Sequence, residues 1–286
     1  MYGSVFSALL LGMWPVINIL SQSHASILAG VTVAPPLPKF EINIPLSASG
    51  AVIMDMESGQ VVFGKQAETK RPMASITKLM TALIIAEDSD LDEVLVVPKE
   101  IDKVVGNKAY LSEGKRFTVA DMLSALLISS ANDAATVLAI HHSGSVPAFV
   151  GVMNERARQL GLTSTSYSDP IGLDHAEQYS SPKEIASLTK YVMQNPEIAN
   201  RMGKRWTRIY STDGSEEIIL NHTHAMMHDS TSPVTAGKTG TTEAARQCLV
   251  SVFSHEGREY IVVLLYSGER YRDMQTILDE MEVTVL

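Results

Sequence analysis

Arg71-Pro-Met-Ala-Ser75-Ile-Thr-Lys78-Leu-Met-Thr81 is the stretch that decides how this chain is read. Ser75 opens a run in which Ile76, Leu79, Met80, Leu83 and Ile84 recur at helical spacing, so a helix is predicted over 75–87. On a helix, residues i and i+3 share a face, which brings the Lys78 amine to the Ser75 hydroxyl. A serine hydroxyl is a weak nucleophile until a neighbouring base takes its proton. A lysine serves as that base only when burial or a second cation destabilises its ammonium, and Lys238 is the candidate second cation. The first N–H groups of a helix lack intrahelical partners, so the Ser75 N–H is free to stabilise an oxyanion.

Taken alone the pattern is common. Ser-x-x-Lys starts at Ser75, Ser112, Ser180 and Ser187, and an ordinary N-cap serine beside a solvated lysine reads the same way. Two rarer motifs choose among the four. Ser130-Ala-Asn132 and Lys238-Thr-Gly240 represent patterns that each occur once. Ser180 and Ser187 follow the first of these, which is the wrong order, and Ser112 lies in a glycine-containing loop 18 residues before it. Only Ser75 opens an apolar helix.

Outward from the motifs, the chain has 286 residues, 45% apolar and 19% charged. That is enough for one large domain or two small ones and too apolar for disorder. A net charge of −9 without a basic cluster excludes a nucleic-acid binder. The single cysteine, Cys248, allows no intrachain disulfide and sits in an apolar run that reads as core. At the N-terminus an apolar run over 5–20 is interrupted by Pro15 and Asn18 and followed by Ser23-His24-Ala25, a small-x-small cleavage pattern. No basic residue precedes it, and the first is Lys39, so an uncleaved anchor or a misassigned start stays open. Residues 1–25 are therefore read as a signal peptide or N-terminal anchor. Residues 26–47, with Pro35, Pro36, Pro38 and Pro45, are read as a tether, and 48–286 as the functional domain.

Within that domain a hairpin is predicted from 51–56 and 60–64 around Glu57-Ser58-Gly59. The middle is mostly helical. Thr118-Val-Ala-Asp121 forms a capping box, a helix over 146–160 stops at Gly161, and Ser181-Pro182-Lys183-Glu184 starts a helix that ends before Asn195-Pro196. Strands follow over 206–211, 217–221, 234–239, 248–254 and 260–266, with Gly257 in the last turn, and a final helix over 270–281. Strands at both ends with helices between them predict an α/β fold, its sheet completed by the two ends of the domain and a helical insertion packed beside it.

Ser75-x-x-Lys78, Ser130-x-Asn132 and Lys238-Thr-Gly240, in this order, match the signature of penicillin-binding proteins and serine β-lactamases. The flanks resemble the serine D-alanyl-D-alanine carboxypeptidases, the low-molecular-mass penicillin-binding proteins. The stretches concerned are 71–81, Leu126-Leu-Ile-Ser-Ser130-Ala-Asn132-Asp-Ala-Ala135 and Ala236-Gly-Lys238-Thr-Gly240-Thr-Thr-Glu-Ala-Ala245, with Asp169-Pro-Ile-Gly-Leu173 and Ser180-Ser-Pro-Lys-Glu-Ile between. The resemblance spans roughly 48–280 and implies a β-lactamase/transpeptidase-like α/β fold, a central antiparallel sheet flanked by helices with a helical subdomain inserted.

It also implies roles. Ser75 is acylated by the peptide and releases the terminal D-alanine, with Lys78 as base. Ser130 relays the proton to the leaving amine, and Asn132 holds the substrate amide and steadies Lys78. Lys238 and Thr239 bind the terminal carboxylate, Gly240 lets the substrate backbone lie against the strand, and the Thr241 N–H joins that of Ser75 as oxyanion hole. Arg270 is a candidate for the carboxylate too, with Arg272 competing. No metal or organic cofactor is implied. The partners are peptidoglycan stem peptides, with β-lactams as covalent inhibitors, and membrane association is expected only through the N-terminus. The expected location is outside the cytoplasm, in the periplasm or on the outer face of the membrane.

Arg246 stands where a glycine is usual in the family, and Thr223-His224 where Thr-Asn is common. The given chain ends soon after the third motif, so a single catalytic domain is expected. A class A β-lactamase needs Glu-x-x-x-Asn, and Glu197-Ile-Ala-Asn200 has the wrong spacing, far beyond Asn132. A D,D-endopeptidase uses the same residues and stays open, with rim shape deciding. A non-catalytic module is disfavoured because every catalytic side chain is present. A metal site at His222, His224, His228 and Asp229 lacks a His-Glu-x-x-His pattern, and a polar strand-to-loop segment is the simpler reading.

Overall fold

The computed structural model describes residues 44–284; the apolar run at 5–20 and its cleavage pattern lie outside them. In chain order the first hairpin is β1 (Gly50–Asp55) and β2 (Val61–Lys65). A 3-10 turn, Ala74–Thr77, leads into α1 (Lys78–Asp88). There follow β3 (Val94–Val96), β4 (Arg116–Thr118), α2 (Val119–Leu127), α3 (Asn132–Ser143), α4 (Val146–Gln159), α5 (Pro182–Val192) and α6 (Pro196–Met202). The last part holds β5 (Trp206–Tyr210), β6 (Glu217–Asn221), β7 (Val234–Thr242), β8 (Arg246–His255), β9 (Arg258–Ser267) and α7 (Arg270–Thr284).

The main sheet has the order β2-β1-β9-β8-β7, antiparallel throughout, so the first hairpin joins the last strand and the ends of the domain close the sheet. Two cores cover its faces, and side-chain alternation along each strand divides them. Val52, Val250, Val252, Ile261 and Val263 face α1 and the helical half. Ala51, Ile53, Leu249, Phe253, Val262 and Leu264 face α7 through Met274, Ile277 and Met281. Burial on both faces explains why β9 reads Tyr-Ile-Val-Val-Leu-Leu without a polar alternate. Strand β7 lies at the sheet edge, with the Ala74–Thr77 turn packed against it. The first and third motifs are thereby brought side by side. Among the described residues no single helix is long and apolar enough to cross a membrane.

Three local differences from the sequence reading have physical causes. The helix expected from Ser75 begins at Lys78, because Ala74 adopts φ +48 and the chain enters through a tight turn that carries Ser75. Asn195-Pro196 ends α5 and also starts α6, since Asn195 Oδ1 accepts from Glu197 N and Ile198 N and Pro196 occupies the first helical position. Residues 44–47, assigned above to the tether, pack on the domain. Ile44 and Leu46 are buried in the second core, while Ser47 N and Oγ donate to the two oxygens of Asp273 at 2.6 and 2.8 Å.

Candidate active site

Lys78 is the centre of the site. It is fully buried, and its Nζ has three oxygen neighbours: Asn132 Oδ1 at 2.7 Å, Ile171 O at 2.6 Å and Ser75 Oγ at 2.9 Å. The first two can only accept, so they take two N–H bonds. In a neutral amine the third direction, toward Ser75, holds the lone pair. The arrangement therefore suits an amine that takes the Ser75 proton. Burial drives the Lys78 pKa down to about 7, against the opposing pull of the Asp169 and Asp133 carboxylates. The lysine–lysine repulsion expected on Lys78 falls on its neighbour instead. Burial, Lys78 and Arg270 together hold Lys238 well below the ordinary lysine range.

Each partner of Lys78 is fixed from behind. Asn132 opens α3, and its Nδ2 donates to Val105 O at 2.7 Å, which sets Oδ1 toward Lys78. The Ile171 carbonyl is presented by a turn built on Asp169, whose Oδ1 accepts from Ile171 N and Gly172 N at 2.8 and 2.6 Å. Gly172 has φ +95, and a Cβ there would collide with the Ala74 carbonyl. On the other side, a Cβ on Gly240 would lie 2.8 Å from the Ser75 amide nitrogen. The two glycines thus hold that amide between the Asp169 turn and the edge strand, a second reason for Gly240 beside the expected approach of substrate.

Ser130 joins α2 to α3 at φ +60, a costly conformation for a residue with a side chain, and is nearly buried. Its Oγ accepts from Lys238 Nζ at 2.6 Å, which leaves its own O–H to donate elsewhere. Along β7, Lys238, Thr239, Gly240 and Thr241 are paired with Val250, Leu249, Cys248 and Gln247. Thr239 Oγ1 donates to Thr223 Oγ1 at 2.7 Å. In the sequence Thr223 stands out only as the start of an unusual pair; the contact that fixes the Thr239 rotamer spans 16 residues and leaves no local signal. Arg270 reaches β7, its Nη1 donating to Gly240 O at 2.9 Å and Thr241 Oγ1 at 3.0 Å. Arg272 instead pairs with Glu269 on the surface.

Other candidates fall elsewhere. Ser112 donates to Glu216, Ser187 to the Lys183 carbonyl, and Ser180 is buried against Thr165. Their lysines turn to Asp213 and Ser215, to the Glu57 carbonyl, and to Glu68 respectively. Glu197 is bound to Arg201 on an exposed face of α6. Among the described residues no group of three or more His, Cys, Asp and Glu side chains is arranged to hold a metal. His224 N donates to His222 Nδ1, His224 Nε2 meets Ser251 Oγ at 2.7 Å, and burial lowers these imidazoles to about 4 (His222) and about 3 (His224). Both are neutral at physiological pH and add no charge behind Lys238. Cys248 is buried, and burial pushes its thiol up to about 11, so it stays protonated.

Comparison with known proteins places the chain among its relatives. A family model described as D-alanyl-D-alanine carboxypeptidase matches residues 35–268. A D-alanyl-D-alanine carboxypeptidase of Mycobacterium tuberculosis is 30% identical over 234 residues, covering 79% of each chain. A D-alanyl-D-alanine endopeptidase of Pseudomonas aeruginosa is 30% identical over 238 residues, covering 79% of this chain and 73% of the relative. Among solved structures, a Streptomyces DD-transpeptidase superposes with a TM-score of 0.78 at 26% identity, covering 88% of this chain and 100% of that one.

Proposed function

The chain belongs to the D-alanyl-D-alanine carboxypeptidase family, serine-type hydrolases with a penicillin-binding fold, and from that membership we propose the roles of its residues. The observation that carries them is the buried Lys78 amine, held by two fixed acceptors with its third direction on Ser75 Oγ. Ser75 Oγ gives its proton to Lys78 Nζ and attacks the carbonyl carbon of the penultimate D-alanine. The oxyanion forms between the N–H groups of Ser75 and Thr241. The proton passes from Lys78 by way of Ser130 to the nitrogen of the terminal D-alanine as the C–N bond breaks. Water then attacks the ester carbonyl as Lys78 takes one of its protons, and Lys78 passes that proton to Ser75 Oγ as the ester C–O bond breaks, which frees the shortened peptide and restores the neutral amine. Lys238, the Thr239 hydroxyl and Arg270 receive the terminal carboxylate, and its charge opposes the forces that lower the Lys238 pKa. A β-lactam enters the same sequence, its ring amide standing for the scissile bond.

A specific observation keeps the endopeptidase reading beside the first, since relatives named for that activity match as closely as those named carboxypeptidase. Incubation with a linear pentapeptide and with cross-linked dimers should release D-alanine from the linear peptide. Monomers appearing from dimers, with no D-alanine from the linear peptide, would reverse the assignment. We also infer export, on the apolar run at 5–20, to the periplasm or the outer face of the membrane, with the N-terminus as a membrane attachment. Recovery of the protein in the cytosol after cell fractionation would contradict this.

A further inference from the structure

A groove of about 480 Å³ lies beyond the end of β7, lined among others by Lys70, Arg71, Asp174, His175, Tyr179 and Ala244. Its cations lack acids. Among the described residues neither Lys70 nor Arg71 makes an ion pair, and nor does Arg246 beside the groove, although the chain as a whole carries −9. They lie against aromatic rings instead, and Arg71 Nη2 also donates to the Ser49 carbonyl at 3.2 Å. Lys70 Nζ lies 4.7 Å from the Tyr179 centroid, while the guanidinium groups of Arg71 and Arg246 share Tyr266 at 6.0 and 4.7 Å. The one carboxylate of the lining, Asp174, makes no ion pair with them and accepts from Thr242 Oγ1 and Ala244 N. Arg246 itself sits at φ +51, where a glycine would be unstrained. The chain places a cation at a backbone position that disfavours any side chain.

The position of the groove gives these charges a use that rests on the reading of the site above. The terminal carboxylate belongs at Lys238 and Thr239, and the scissile carbonyl at Thr241. The acyl half of a peptide lying along the edge strand therefore continues past Thr242 toward Ala244. Three residues of strand are about 10 Å. We propose that this groove is a subsite for a carboxylate on the acyl-donor half of the substrate, about 10 Å upstream of the scissile carbonyl, held by Lys70, Arg71 and Arg246.

The test compares two penicillins that differ only at the end of the acyl chain on the 6-amino nitrogen, one adipoyl and the other its terminal amide. Acylation rates are read by intact mass at low ionic strength. The parent protein should react about fivefold faster with the carboxylate form, the size expected for part-exposed charge pairs. Added salt should shrink the ratio. Arg246→Gly and Lys70→Gln should each bring it toward one, and Arg246→Lys should keep most of it. Equal rates in the parent, or a ratio untouched by both charge removals, would overturn the subsite alone. No adduct with either penicillin would overturn the reading of the catalytic centre, and the subsite with it.

Discussion

The Ser75→Ala protein should form no covalent penicillin adduct, a loss of at least about ten-thousand-fold in acylation rate. Four serines stand three residues before a lysine, and sequence order was the argument for one of them. Geometry supplies an independent argument. Only in the Ser75 pair does the lysine amine meet its own serine, at 2.9 Å, while the lysines of the other three are committed to different partners. Ser112→Ala and Ser187→Ala should therefore acylate at the parent rate. The fold should survive the Ser75 change. The hydroxyl meets Lys78 at 2.9 Å and donates a longer bond, 3.3 Å, to the Ile171 carbonyl, and removing it leaves Lys78 its two carbonyl acceptors. A shift of about 1 kcal/mol is expected, or roughly 2–4 °C in Tm for a domain of this size. Peptide mapping decides the matter, for an adduct on any serine of the Ser75→Ala protein would show that the nucleophile lies elsewhere.

How much of this was legible in the sequence follows from where each signal is stored. The elements around the motifs have local signals: the capping box of Thr118 and Asp121, Pro182 behind Ser181, and the continuous apolar run of β9 all read correctly. Strands β3 and β4 have three residues each, too few to show a period, and were missed. The three motifs named the side chains of the site, because a serine, a lysine and an asparagine are chemically conspicuous. What they left out is backbone. The Ile171 carbonyl decides which direction of the Lys78 nitrogen is free, yet nothing about an isoleucine announces that its carbonyl faces a lysine 93 positions away. The Asp169-Pro-Ile-Gly pattern signals a turn, not its destination. The same holds for Thr223, whose partner Thr239 is found only after the β5–β6 hairpin has folded back toward the sheet. The unusual residue Arg246 is visible at once in the sequence, and only the structure shows that it is held on the Tyr266 ring in spite of a left-handed backbone that would favour glycine.

Lys78→Gln should slow acylation at neutral pH by about a thousandfold, within the range for loss of a positioned base, while keeping a hydrogen-bonding group of similar length in the pocket. The more discriminating readout is the pH profile. The reactive form of Lys78 is the neutral amine, and burial brings its pKa to about 7. Below that value the neutral fraction falls about tenfold per pH unit, so acylation of the parent should rise with slope one up to about pH 7 and level off above it. Lys78→Gln should lose this inflection along with the rate, because the group that titrates is gone. A profile that keeps its bend near 7 in the variant would assign the base to another group, and a parent profile bending near 10 would mean that burial does not depress the amine. The residues behind Lys78 predict which way the bend can be moved. The Asp169 and Asp133 carboxylates raise its pKa, so neutralising either lowers the inflection. Asp169 also holds the turn that presents Ile171 O, and Asp133 the segment at Ala109 and Leu111. Each carboxylate thus couples the shape of the pocket to the charge of its base. A downward shift of the bend accompanied by a lower plateau is the expected signature of Asp169→Asn, because the charge effect moves the pKa while the loosened turn releases one of the two acceptors that aim the amine at Ser75.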